Sequence, residues 1–138
     1  MTLKDQTIND LLCTIKTLRG DSGCPWDKKQ TSASLIKYFR EELDELITAV
    51  ENQDSPNICE ESGDLLYLIV MLSEINREKG EFHFPDVVRL INEKLIRRHP
   101  HVFADTAYKS EEDLVKQWKQ IKTEEKKKNL FDTNLHKL

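Results

Sequence analysis

Apolar residues return along this chain every three or four positions, and five stretches carry that rhythm. Ile8, Leu11, Leu12, Ile15 and Leu18 form the first, and Leu35, Phe39, Leu43, Leu46 and Val50 the second. Leu65, Leu68, Leu72 and Ile75 form the third, Val88, Ile91 and Leu95 the fourth, and Leu114, Trp118 and Ile121 the last. Each stripe falls on one face of a helix with 3.6 residues per turn, so amphipathic helices with inward apolar faces are expected. Polar breaks separate them. RGDSGCPWD, Arg19 to Asp27, is rich in turn residues, and Asp27 with Gln30 reads as a capping box opening the second helix. ENQDSPN, Glu51 to Asn57, divides the second from a third that opens near Ile58 and ends at KGEF, Lys79 to Phe82. Pro85 suits a first helical turn, and His99-Pro100 should stop that helix. HPHVFADTAYKS, His99 to Ser110, reads as an ordered loop, and Ser110 with Asp113 as a capping box for the last helix. The polar sequence from Lys122 onward is expected to fray. The pattern predicts an all-α fold, an antiparallel bundle of four to five helices over residues 1–126, with a polar tail over 127–138.

Composition sharpens this picture. A chain of 138 residues can bury a core without staples, and four Gly and four Pro leave few turns for a many-stranded fold. Cys13, Cys24 and Cys59 form neither a disulfide framework nor a C-x-x-C pair, which points to a reducing, cytoplasmic setting. No apolar run reaches the roughly 18 residues of a membrane span, and MTLKDQTIND lacks the features of a signal peptide. A net charge of -4 argues against a nucleic-acid partner.

EESGDLLYLIV, Glu60 to Val70, breaks the binary pattern. Glu61 and Asp64 stand at i and i+3, and Glu61 continues the stripe of Leu65, Leu68 and Leu72. Glu42 and Glu45 repeat the arrangement on the preceding helix, beside Glu41. Antiparallel packing would bring the four inward carboxylates together. Like charges in a partly dry site raise one another's pKa, and a divalent cation removes the conflict. Oxygen ligands alone suit Mg²⁺ or Mn²⁺, and phosphate oxygens can complete the coordination. The helix dipole alone accounts for acids in a first turn, though poorly for a mid-helix pair. Gly63, between the two ligands of the third helix, would let another helix or a ligand come close.

Basic residues cluster in NEKLIRRHPHVF, Asn92 to Phe103. Lys94 and Arg98 share a face, and with Arg97 they could clamp phosphates or simply complement a helix C-terminus. His99 and His101 lack a zinc-like spacing. In GCPWDKKQ, Trp26 could stack on a base with Lys28 nearby, or could plug one end of the bundle.

These blocks resemble the MazG family of nucleoside triphosphate pyrophosphohydrolases. EELDE, Glu41 to Glu45, followed by ESGD, Glu61 to Asp64, matches its EExxE…ExxD hallmark. GCPWDKKQT, KLIRRHPHVFAD and WKQIKTEEK extend the likeness over about residues 8 to 126. The family's bacterial proteins carry two such domains in tandem, and this chain resembles the N-terminal one. Ser62 stands where Leu is common. The resemblance implies an all-helical enzyme that hydrolyses nucleoside triphosphates between the α and β phosphates, releasing a monophosphate and pyrophosphate. It implies Mg²⁺ (Mn²⁺ as substitute) held by Glu42, Glu45, Glu61 and Asp64, with Glu41 as a flanking acid. Trp26, Lys28, Lys94, Arg97 and Arg98 are the candidate substrate-binding residues. The expected assembly is a homodimer or dimer of dimers, and the expected role is nucleotide-pool house-cleaning. The alternative is a weakly active or inactive helical module that binds nucleotides or a protein.

Overall fold

The computed structural model describes residues 5–128, and among them every regular element is a helix. Five long helices, α1 (Ile8–Arg19), α3 (Ile36–Glu51), α4 (Ser55–Glu78), α5 (Phe84–Arg98) and α7 (Glu111–Lys127), are joined by two short ones, α2 (Pro25–Lys29) and α6 (Pro100–Phe103). The described residues divide into two compact units, one ending at Gly80 and the other beginning at Glu81.

In the first unit, α3 and α4 form a helical hairpin. Their link is three residues, Asn52 to Asp54, with Gln53 in the left-handed region at φ 53°. Asp54 caps α4 by accepting the Asn57 backbone N–H at 3.3 Å, and Pro56 lies in the first turn, where its missing N–H costs nothing. α4 thus opens one turn earlier than the hydrophobic pattern indicates. The C-terminal half of α4 is wrapped on several sides: Leu68, Val70, Met71, Ser73, Glu74 and Ile75 are all buried. Ile15 of α1 and Ala49 of α3 join that core, with Leu35, the N-cap of α3. At the other end of α1, the Asp10 carboxylate accepts the Thr7 N–H at 2.7 Å and closes the first turn.

The segment between α1 and α3 departs from expectation. Cys24, not Asp27, is the N-cap of α2, and Asp27 is a buried residue inside that helix. Gln30 ends α2 instead of completing a capping box. A Cβ added to Gly23 would lie 2.2 Å from the Leu18 carbonyl oxygen, so only glycine lets the chain fold back this tightly under α1. The Cys24 N–H donates to that same carbonyl at 2.8 Å.

In the second unit, Pro85 occupies the first turn of α5 as expected, and α6 interrupts what the sequence presents as a loop. Ser110 caps α7 by accepting the Asp113 N–H at 3.3 Å, but the Asp113 carboxylate takes the Lys109 N–H instead of closing the box on Ser110. α7 runs on to Lys127, past the point where fraying is expected, because Glu125 is buried and paired with Arg97 and Arg98. Residues 129–138 of the expected tail lie outside the described residues.

Several apolar positions expected to face inward do not. Leu43 and Val50 on α3, and Val88, Ile91 and Leu95 on α5, each leave about half their surface exposed. The periodicity is real, but no segment of this chain covers those faces among the described residues.

Candidate metal centre

Glu42 and Glu45 are one turn apart on α3, and Glu61 and Asp64 one turn apart on α4. The short link makes the helices antiparallel, so the two pairs meet. One carboxylate oxygen from each of the four lies within 4.8 Å of the others. Glu42 and Glu61 are half-buried, while Glu45 and Asp64 open to solvent. The cluster therefore has a dry floor and a wet mouth.

The floor is electrostatically unsatisfied. Oε2 of Glu42 and Oε2 of Glu61 are buried with no hydrogen-bond partner among the described residues. Burial raises the Glu61 pKa from 4.5 to about 7, assisted by the hydrogen bond and charge of Glu45 and by the charges of Asp64 and Glu42. Glu42 is raised as well, first by burial, then by Glu45 and Asp64. Buried polar atoms are nearly always paired in folded proteins, so two orphaned carboxylate oxygens in one acidic cluster call for a positive partner. Four hard oxygen donors, with no Cys or His among them, fit a divalent cation of the Mg²⁺ type.

Glu41 is exposed and stands outside the cluster. Gly63 has no atom within 4 Å of where its Cβ would be, so among the described residues no other helix uses the room it leaves. A cleft of about 320 Å³ adjoins the cluster and shares Glu45 and Glu61 with it. Its other walls are Asp44, Thr48, Ala49, Asn52 and Asn57. Thr48 lies one turn from Glu45, whereas Asn52 belongs to the link and Asn57 to α4, so no single spacing in the sequence ties these polar residues to the acids.

Trp26 packs edge-on against Tyr38 with ring centroids 5.3 Å apart, and Lys28 Nζ donates to the Asp21 carbonyl at 3.1 Å. Trp26 is half-buried and Lys28 exposed. In the second unit, Glu125 accepts Nε of Arg97 at 2.8 Å and two nitrogens of Arg98 at 3.3 and 3.0 Å. These pairs hold the Glu125 carboxyl below its ordinary value despite its burial. Lys94 is half-buried one turn before Arg98. His99 lies 6.0 Å from Trp118 and 5.6 Å from His101, ring to ring. With Arg98 these rings line a recess of about 340 Å³, which spacing alone did not reveal.

Residues 30–103 match the family model for the MazG nucleotide pyrophosphohydrolase domain. The chain belongs to the MazG family. Named relatives agree. It is 46% identical over 119 residues to the nucleoside triphosphate pyrophosphohydrolase/pyrophosphatase MazG of Thermotoga maritima, a match covering 86% of this chain and 45% of that protein. It is 42% identical over 120 residues to the nucleoside triphosphate pyrophosphohydrolase of Escherichia coli K12, covering 86% of this chain and 46% of that one. The chain thus spans less than half the length of either relative. Among solved structures, the mazG-related protein from Thermotoga maritima superposes with a TM-score of 0.67 at 30% identity, covering 83% of this chain and 98% of that one. The all-helical MazG fold is shared across that whole neighbour.

Proposed function

We propose that this MazG chain hydrolyses nucleoside triphosphates between the α and β phosphates, releasing a nucleoside monophosphate and pyrophosphate. The observation that carries the reading is the pair of orphaned buried oxygens, Glu42 Oε2 and Glu61 Oε2, inside a four-carboxylate cluster. Glu42, Glu45, Glu61 and Asp64 would hold Mg²⁺. When bound there, the cation supplies Lewis acidity toward phosphate oxygens and lowers the pKa of a coordinated water.

The chain's own residues supply the rest. Glu45 lies at the wet mouth, and Glu41 beside the pair on α3; either can accept the proton of an attacking water. Arg97 gives only its Nε to Glu125, which leaves its terminal nitrogens for phosphate oxygens. Lys94 and Arg98 add positive charge on the same helix, a basic surface suited to phosphate oxygens. Trp26, half-buried beside the exposed Lys28, is the aromatic ring proposed for the nucleoside end. Three free cysteines suit a reducing cytoplasm, where clearing unwanted nucleotides would be the role.

A homodimer fits the uncovered apolar faces. Ile36, Leu43, Ile47 and Val50 share one side of α3, each about half exposed, and a second copy would bury them.

Pyrophosphate release from a panel of canonical and modified triphosphates, with Mg²⁺ or with chelator, tests the activity. Glu42→Gln and Glu61→Gln should each lose at least about 100-fold in kcat, since each removes a ligand charge. Wild-type rates in both variants would refute the site. Nucleotide binding without turnover by the native chain would favour the binding-module alternative.

A further inference from the structure

The segment around α2 touches both helices that carry the acidic cluster, and does so at the turns adjoining it. On α4, Tyr67 follows Asp64 by three residues and so lies one turn further along. Its hydroxyl donates to the Asp27 carboxylate on α2. On α3, Tyr38 precedes Glu42 by four residues, also one turn away. Trp26, the neighbour of Asp27 on α2, packs on the Tyr38 ring. Two adjacent α2 residues therefore grip the two ligand-bearing helices, one each.

α2 is itself rigidly held. Asp27 and Gln30 are each only 6% exposed, which matters because a buried carboxylate requires fixed donors. The Arg19 guanidinium donates to the carbonyls of Asp27 at 2.6 Å and Gln30 at 3.2 Å, and pairs with Glu78 at 2.7 Å. The Gln30 amide donates to the Trp26 carbonyl at 2.9 Å, and Ser34 donates to the Gln30 side-chain oxygen at 2.7 Å. A shift of α4 relative to α3 would break the Tyr67–Asp27 bond or pull Trp26 off Tyr38. Burial and Asp27 together raise the Tyr67 pKa, so the hydroxyl keeps its proton and remains a donor.

We propose that Tyr67 is a positioning residue for the metal centre: through Asp27 it fixes the register of the Glu61–Asp64 turn against the Glu42–Glu45 turn. The inference rests on the metal reading above. It adds that the four acids converge because α2 clamps both helices, and that the α3–α4 link alone does not hold their spacing.

Mn²⁺ binding, read by electron paramagnetic resonance of free and bound ion, tests it without any turnover. Tyr67→Phe and Asp27→Ala should weaken Mn²⁺ binding by about tenfold, the low end for residues that orient ligands from outside the coordination shell. Their bound-ion spectra should broaden as the site loosens. Asp27→Asn keeps an oxygen that accepts from Tyr67 and should bind within about threefold of wild type. Asp10→Ala removes the cap of α1 in the same unit and touches nothing on α2. It should lower the melting temperature and leave Mn²⁺ binding unchanged. Native affinity and spectrum in Tyr67→Phe, or equal weakening in Asp10→Ala, would overturn the inference while leaving the metal site standing. Absence of Mn²⁺ binding by the native protein would overturn both.

Discussion

At the residue scale, protonation of Glu61 makes the metal-free protein sensitive to pH. Its folded pKa is about 7 against an ordinary 4.5, so the folded state holds a proton that the unfolded state releases. The stabilisation is full below about pH 4.5 and is lost as pH rises through about 7. Glu42 shifts in the same direction. Glu125, shifted downward, acts oppositely and only below the ordinary carboxylate range. Urea denaturation in chelator should therefore give lower stability at pH 8 than at pH 5. Glu61→Gln should flatten that slope, and Mg²⁺ at pH 8 should restore stability to the native protein. An identical slope in native protein and variant would contradict the assignment. The four acids were legible in the sequence because carboxylates sat on an otherwise apolar stripe. Asp44, Asn52 and Asn57 were not, because polar residues on a helix flank have no distinguishing spacing.

At the element scale, the two surprises share a cause, which is that local patterns omit distant partners. Asp27 has the spacing of an N-cap, but a hydroxyl forty residues away on α4 makes it a buried acceptor. The lysine-rich end of α7 reads as solvated, yet Glu125 is only 2% exposed because two arginines of α5 reach it. Glu125→Ala should cost about 3 kcal/mol, the low end for a broken buried pair, because water reaches Arg97 once the carboxylate is gone. Chemical denaturation measures this, and a loss below about 1 kcal/mol would place the pair with ordinary surface bridges. Gly23→Ala should destabilise by about 1–3 kcal/mol, since its Cβ would collide with α1 carbonyls.

At the scale of the whole molecule, the five long helices and their order followed from periodicity, while the two short helices α2 and α6 and the destination of each apolar face did not. A stripe announces that a face needs covering without saying whether the same chain covers it. Among the described residues, Leu68, Met71 and Ile75 are covered internally, while Leu43, Ile47 and Val50 stay about half exposed. Light scattering should therefore give about twice the 16.2 kDa chain mass, and Leu43→Glu with Ile47→Glu should give the single-chain mass. A native protein that runs as a monomer would show that the exposed stripe has another use. The central claim concerns which phosphate bond breaks, and ³¹P NMR of a nucleoside triphosphate incubated with the native chain and Mg²⁺ reads that directly. Resonances of a nucleoside monophosphate and pyrophosphate, absent with chelator, are the predicted result. A diphosphate with inorganic phosphate, or an unchanged triphosphate across the substrate panel, would contradict it.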